Sequence, residues 1–412
     1  MNVSSIVRRA LFTRMLPALA LALTAFLTGC SFTTRQSTLD PKGPVAQVQY
    51  DVFMITVWVT LGIFIVVGGI LVWVVWKFRE RPGDENKPLP EQGHGNPLIE
   101  ISLIGVSVLL LVVIAVPTLE AIWFTHEMPS DTKASQLGTW YPGEVAPEEK
   151  NNVLEITVYG YQWWWAFDYP QFGIRTANEL VIPTGKIVKL NLRSQDVIHS
   201  FWLPKIAGKV DLIPGRRNWM WIQADEEGHY YGQCAEFCGE AHAYMLFRAD
   251  AVSDEAFAEW VEANRNGAEP PAGESWNEWF KVATSDPVKL DGDPVQLGAR
   301  LFMTQAQCIQ CHRIGNSPAN SDIGPDLTLV GRRKSLGAGL LDNRNADGEI
   351  DEALLQENLY QWIRYSHNIK PGNLMYYGTG AFQEIKRNLE ERGTPLTEED
   401  FRNMAIYLST LK

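Results

Sequence analysis

Three apolar runs of unequal length open the chain. Leu16 to Leu27 follows Arg8, Arg9 and Arg14 and is too short to cross about 30 Å of hydrocarbon, so residues 1–29 read as a signal peptide. Phe53 to Trp76 and Ile101 to Phe124 each hold an uncharged stretch long enough to cross at ~1.5 Å per residue. Together they predict a two-helix transmembrane hairpin over residues 45–128. The connecting loop begins with Lys77, Arg79 and Arg81, whereas the outer flanks carry Asp51, Glu120 and Glu127. The positive-inside rule therefore puts the loop in the cytoplasm and everything from about His126 outside it.

From about Val153 the period falls to two. Leu154, Ile156 and Val158 alternate with polar neighbours, as do Val188, Leu190 and Leu192, with Pro183-Thr184-Gly185 and Pro214-Gly215 as turn signals. This predicts a small β-sandwich or barrel over residues 150–252. Residues 264–287, with Glu269-Pro-Pro-Ala-Gly-Glu274, have the composition of a linker. Within it Trp276, Trp279 and Phe280 predict an amphipathic turn resting on one of the domains. Residues 288–412 predict an all-α domain whose last helix is capped at Thr397 and sends Phe401, Met404, Tyr407 and Leu408 to one side.

Composition narrows the picture. The 412 residues leave room for two soluble domains beside the hairpin, and 46% hydrophobic with 20% charged residues suits apolar blocks joined to ordinary soluble domains. A net charge of −12 argues against nucleic acid, because phosphate binding needs clustered Lys and Arg. Five cysteines exclude a disulfide-stapled scaffold. The first of them, in Leu27-Thr-Gly-Cys30, resembles the lipobox of bacterial lipoproteins, which would make Cys30 a lipidated mature N-terminus.

The densest chemistry is Cys234-Ala-Glu236-Phe-Cys238-Gly-Glu-Ala-His242-Ala-Tyr-Met245, with His199 upstream in Asp196-Val-Ile-His199. Two thiolates, two imidazoles and a thioether are soft or borderline ligands that suit copper. The Cys-x3-Cys spacing differs from the usual zinc pairs. A Cys234–Cys238 disulfide is the competing reading and leaves His199, His242 and Met245 unexplained.

The later Cys308-Ile-Gln-Cys311-His312 is a Cys-x-x-Cys-His signature of c-type haem attachment, in which two thioethers fix the porphyrin and the imidazole ligates iron. No second Cys pair remains to complete a zinc site. Met375, in Asn368-Ile-Lys-Pro371-Gly-Asn-Leu-Met375, is the candidate sixth iron ligand and His367 the fallback, since haem irons take either type.

Residues 45–252 resemble cytochrome c oxidase subunit II, a cupredoxin domain behind a membrane hairpin. Residues 288–412 resemble a class I cytochrome c, through Gly298-Ala-Arg-Leu-Phe302, Gly324-Pro-Asp-Leu327 and the last helix. Tyr376 stands where that family usually has Pro after the axial methionine. The chain as a whole is similar to subunit II of a caa3-type haem-copper oxidase with a fused cytochrome c domain. The resemblance implies a binuclear copper A centre held by His199, Cys234, Cys238, His242 and Met245, with the backbone carbonyl of Glu236. It implies that Trp163, in Gly160-Tyr-Gln-Trp163-Trp-Trp165, is where electrons enter the copper domain. Read without the resemblance, that aromatic run is packing over a strand edge. By the same resemblance the Glu236 carboxylate would help hold a magnesium ion at the boundary with subunit I, and Glu100 would stand at the entrance of a proton channel. Otherwise both are ordinary surface acids.

The function expected is electron input to a terminal oxidase. Electrons would pass from haem c to copper A and on to haem in subunit I, where oxygen is reduced and protons are translocated. No catalytic residue is expected in this chain. Its partners would be subunits I and III, membrane lipid and an electron donor, such as a cytochrome, a copper protein or a quinol-oxidising complex. Both soluble domains would lie outside the bacterial plasma membrane. Quinol oxidase subunit II shares the hairpin and β-domain but needs neither copper ligands nor a haem motif. Nitrous oxide reductase would need a large propeller. A stand-alone membrane-anchored electron carrier would need only one helix.

Overall fold

The computed structural model describes residues 33–79, 81, 93, 95–128, 153–273, 275–285, 292–377 and 382–412. Cys30 and the signal segment lie outside the described residues. Among the described residues two long helices come first, α1 (Pro44–Lys77) and α2 (Pro97–His126). Each starts on a proline in its first turn, and the side chain of Asn96 caps α2 by accepting from Leu98 N at 3.0 Å. Both helices overrun the apolar stretches at 53–76 and 101–124. The extra turns of α1 are not lipid-facing, since Val45 and Ala46 are buried against the next domain. Over the rest of the hairpin, large apolar side chains such as Phe64, Val72, Leu103 and Leu111 point outward, the surface a bilayer requires.

The β-domain contains ten strands: β1 (Leu154–Tyr161), β2 (Trp164–Tyr169), β3 (Ile174–Ala177), β4 (Glu179–Pro183), β5 (Val188–Ser194), β6 (His199–Trp202), β7 (Lys209–Leu212), β8 (Asn218–Ile222), β9 (Gly228–Cys234) and β10 (Leu246–Val252). They form two five-stranded sheets, ordered β3-β2-β1-β5-β8 and β4-β10-β9-β6-β7, a cupredoxin-like sandwich. Pairs β1/β5 and β4/β10 are parallel and the others antiparallel. The register Leu154↔Val188, Ile156↔Leu190 and Val158↔Leu192 puts the alternating apolar residues of both strands on one inner face, where all six are buried. Phe201 and Phe247 stack across the core with centroids 4.5 Å apart, and Trp165 meets each edge-on.

The hairpin is fastened under this sandwich at its outer end. Lys42 N donates to Lys205 O at 2.6 Å and Ala46 N to Ile206 O at 3.2 Å, while Phe124 packs edge-on against Trp221. After β10 the chain enters α3 (Asp254–Asn266), capped by Ser253, which returns Phe257 and Val261 to the sandwich core.

A second core begins earlier than its expected boundary at residue 288. The segment read as a linker carries α4 (Trp276–Ser285), whose Trp276 and Trp279 are buried with Ala268 and Ala283 in the C-terminal core. Gly- and Pro-rich flanks give that stretch a linker's composition, but two indoles are too much apolar surface to leave in water. The domain continues through α5 (Pro294–Met303), a short ladder of β11 (Ser335–Leu336) and β12 (Leu341–Asp342), α6 (Glu352–Ile369), α7 (Leu374–Tyr377), α8 (Phe382–Glu391) and α9 (Glu398–Ser409). Helix α9 starts with a capping box between Thr397 and Asp400 and packs on α5. Gly298 lets them cross closely, because a Cβ there would stand 2.0 Å from the Asn403 carbonyl oxygen.

The two soluble domains meet along β4, β9 and β10. Lys334 Nζ lies 3.0 Å from Asp250, Ser335 N donates to Glu179 at 2.9 Å, Arg248 to Gly339 O at 2.6 Å, and Arg344 to the Tyr231 hydroxyl at 2.9 Å.

Candidate metal centre

Strand β6 starts on His199, strand β9 ends on Cys234, and the loop between β9 and β10 supplies the rest. A 3-10 turn at His242–Tyr244 folds that loop back, with Met245 N donating to His242 O at 3.1 Å and Cys234 N to Met245 O at 3.0 Å. The result brings six groups together. Cys234 Sγ lies 3.8 Å from Cys238 Sγ, 4.0 Å from His199 Nδ1 and 3.2 Å from the Glu236 carbonyl oxygen. Cys238 Sγ lies 3.6 Å from His242 Nδ1 and 3.8 Å from Met245 Sδ. Both cysteines are free and buried. Their sulfurs stand well beyond the ~2.05 Å of a disulfide.

The donors are presented in a state suited to a metal. The Nε2 of His199 is occupied by Asp196 Oδ1 at 2.7 Å, so Nδ1 faces the sulfurs. Burial lowers the affinity of His199 for a proton, but the hydrogen bonds to Asp196 and Cys234 outweigh it and raise the imidazole's pKa. As a thiol pair, Cys238 donating to Cys234 eases ionisation of Cys234, and the resulting charge together with burial pushes Cys238 up. A copper pair carries positive charge that both sulfurs can share, so the set fits such a group. Nothing among the six resembles the all-oxygen shell of a hard cation.

Trp163 borders this loop. Its indole N–H donates to Cys238 O at 3.0 Å, and Gln162 Nε2 donates to the same oxygen at 2.8 Å. The Glu236 side chain and its neighbour Phe237, 76% exposed, face outward. Glu100 is not part of this cluster. It sits in the first turn of α2, some 24 residues before the end that touches the sandwich, which is about 36 Å along the helix.

In the C-terminal domain Cys308 and Cys311 flank a 3-10 turn, and His312 N donates to Cys308 O at 2.9 Å. His312 Nδ1 lies 2.8 Å from Pro325 O. A carbonyl can only accept, so Nδ1 carries the proton and Nε2 keeps its lone pair for a metal. Burial lowers the His312 pKa, which favours this neutral form. Burial also pushes the Cys308 thiol up to about 12 and the Cys311 thiol up, unlike the acidified thiolate of a redox Cys-x-x-Cys. The Tyr407 hydroxyl, close enough to feel Cys308, is buried without a hydrogen-bond partner among the described residues. An unsatisfied polar atom beside Cys308 fits a site that would take a further group.

Met375 lies on α7, half-buried in the same core as Cys308. His367 stacks on Tyr376 with centroids 4.2 Å apart, and its Nδ1 is buried without a partner among the described residues.

One residue of consequence escaped the reading of motifs. Lys370 is 3% exposed and donates from Nζ to Trp163 O at 2.5 Å. Burial brings its pKa down to about 7, against the pull of Cys238. A single lysine in a polar loop has no periodicity that could announce this.

A family model described as "Cytochrome C oxidase subunit II, periplasmic domain" matches residues 173–252. Cytochrome c oxidase subunit 2 of Alkalihalophilus pseudofirmus is 34% identical over 390 residues, 95% of each chain. Quinol oxidase subunit 2 of Bacillus anthracis is 30% identical over 270 residues, covering 66% of this chain and 86% of that one. Among solved structures, the periplasmic domain of subunit II of cytochrome oxidase from Bradyrhizobium japonicum is 36% identical over 27% of this chain and 94% of that chain, with a TM-score of 0.27.

Proposed function

This chain belongs to the cytochrome c oxidase subunit II family and is the electron-input subunit of a haem-copper oxidase, and from that premise we propose that it carries two electron-transfer centres in series. His199, Cys234, Cys238, His242, Met245 and the Glu236 carbonyl hold a binuclear copper A centre. Cys308 and Cys311 would hold haem c covalently, and His312 and Met375 would ligate its iron. The observation that carries this reading is the convergence of two free thiols, two imidazole Nδ1 atoms, a thioether and a carbonyl within about 4 Å steps of one another.

The bound groups supply one-electron redox chemistry without bond making. The chain's own residues do the rest. Asp196 orients His199, the Pro325 carbonyl orients His312, and the sandwich core under the copper loop excludes water and limits movement when the charge changes. Electrons then leave for haem in subunit I, where oxygen is reduced. A quinol oxidase would need neither the copper ligands nor Cys308-x-x-Cys311-His312. The match to the quinol oxidase relative spans 66% of this chain, whereas the match to the cytochrome c oxidase relative spans 95%.

The remaining assignments follow the same reading. Glu236, exposed beside the copper loop, contributes its carboxylate to a magnesium ion at the face toward subunit I. Glu100, at the far end of the hairpin, stands at a proton-channel entrance. Cys30 is acylated, and both soluble domains lie outside the plasma membrane, reached by an external donor. Subunits I and III complete the assembly.

The deciding experiment is metal and haem analysis of the purified subunit. It is expected to hold haem that survives acid-acetone extraction and two copper ions with a mixed-valence EPR signal. Cys234→Ser is expected to lose copper and keep haem. A zinc-loaded preparation, or a Cys234–Cys238 disulfide in the copper-reconstituted protein, overturns the reading.

A further inference from the structure

At the copper end of the domain interface the two soluble domains are joined through one buried lysine. Lys370 follows the end of α6, and its ammonium makes one hydrogen bond among the described residues, to the carbonyl oxygen of Trp163, and no ion pair. Trp163 passes the connection on, donating its indole N–H to Cys238 O. Two hydrogen bonds thus link the loop of the C-terminal domain to the loop of the thiol pair. The backbone at Gly372 lies against the Glu240 side chain on the same copper loop, so the contact is close on both sides of Lys370. The lysine's own loop is stiff. The Asn373 side-chain amide donates to both Ser366 O and Lys370 O, and Met375 follows two residues later.

Lys370 is an unexpected choice for mere adhesion. A buried ammonium with a single carbonyl partner is costly, and an apolar residue of its length would pack at less expense. Adhesion is supplied elsewhere, by Lys334 with Asp250, Ser335 with Glu179, Arg248 with Gly339 O and Arg344 with Tyr231. What the lysine adds is register. A point donor on a stiff loop fixes where that loop stands over Trp163.

We propose that Lys370 is a positioning residue for electron transfer inside this chain, holding the loop that leads to Met375 in register with Trp163 and the Cys238 loop. The inference rests on the haem and copper assignments proposed above. The step it serves moves one electron, oxidising the haem iron by one and reducing the copper pair by one, with no proton transferred.

The test uses the whole oxidase. Its first measurement, the haem and copper content of the wild-type protein, judges the underlying assignments before any variant is made. Lys370→Met keeps length and apolar contact but removes the donor, and Lys370→Arg restores one. With haem and copper spectra unchanged, haem-to-copper equilibration after photoinduced electron injection is expected to slow severalfold in Lys370→Met and to recover in part in Lys370→Arg. Hydrogen exchange gives a readout independent of turnover. Protection in Lys370→Met is expected to fall at residues 370–376 and 160–165 and to hold at 334–344. Should Lys370→Met fail to assemble, Trp163→Phe cuts the second hydrogen bond and is expected to slow the same step. An unchanged rate with intact centres, or loosening spread evenly over the whole interface, overturns the proposal.

Discussion

Asp196 and His199 form a fixed pair at the proposed copper site: the carboxylate Oδ1 lies 2.7 Å from the imidazole Nε2, while the same side chain accepts from the backbone N–H groups of Gln162 and Val197. The carboxylate is thereby immobile, and so is the ring. Removing such an outer partner weakens metal binding by about 10–100-fold in comparable sites. Asp196→Ala is therefore expected to lower copper affinity by that factor in a chelator competition titration, with Asp196→Asn intermediate. Affinity unchanged in both variants would mean that His199 is oriented by packing alone.

Packing has its own test at Gly160. A Cβ there would stand 2.7 Å from His199 Cδ2, and both residues are buried. Gly160→Ala has to shift either β1 or the ring, and overpacking of this kind costs about 1–3 kcal/mol. Thermal unfolding of the β-domain is expected to move down accordingly, with a perturbed copper EPR spectrum. A normal spectrum at normal stability would show that the ring has room that the structure denies it.

The sixth ligand of the proposed haem can be decided by pairing two substitutions. Met375 is half-buried in the core that contains Cys308, whereas His367 is stacked face to face on Tyr376. Met375→Ala is expected to turn the haem high-spin, abolish the sulfur-to-iron charge-transfer absorption and admit carbon monoxide. His367→Ala is expected to leave all three as they were. The reverse outcome assigns His367.

Docking of the two soluble domains should depend on pH through Glu179. Part of this residue faces an interdomain cavity of about 220 Å³, but its carboxylate sits under Ser335, and burial there, with Asp250 adding repulsion, raises its pKa to about 7 despite Arg333. Arg175, Lys334 and Asp326 also line the cavity. A carboxyl group raised in the folded state binds its proton more tightly than in the unfolded chain. Its contribution is therefore full below about pH 4.5 and is lost as the pH rises through about 7. Asp250 works in the opposite sense: burial raises it, but His229 and Lys334 outweigh burial and keep its pKa low. Comparing the wild type with Glu179→Gln isolates the first group. The wild type is expected to lose interface protection between pH 5 and 7.5 relative to the variant, measured by hydrogen exchange at residues 334–336. Parallel curves would remove Glu179 from the account.

What could be seen in the sequence, and what could not, divides along physical lines. The alternation in Leu154, Ile156 and Val158 was legible because one face of β1 is fully buried, whereas Glu155, Tyr159 and Tyr161 on the other are only partly covered. The convergence of soft donors was legible because Cys234, Cys238, His242 and Met245 share one stretch of chain, with only His199 coming from another strand. The bounds of the hairpin at 45–128 lie close to the observed helix ends, but that the polar first turns of α1, beyond the apolar span, pack under the sandwich was not legible. Trp276, Trp279 and Phe280 were legible as an amphipathic turn resting on a domain; the glycines and prolines around them hid only that the second core already begins there. Lys370 was hidden for a deeper reason. Its burial is created by two domains meeting, and no local pattern encodes a meeting.

The clasp between hairpin and sandwich has a mechanical consequence. The start of α1 is held at Lys205 and Ile206, and the end of α2 at Trp219 and Trp221. Both legs of the hairpin thus end on one body. Two attachment points, unlike one, leave the sandwich no single axis to swivel on, so the thiol pair keeps one orientation relative to the two helix axes.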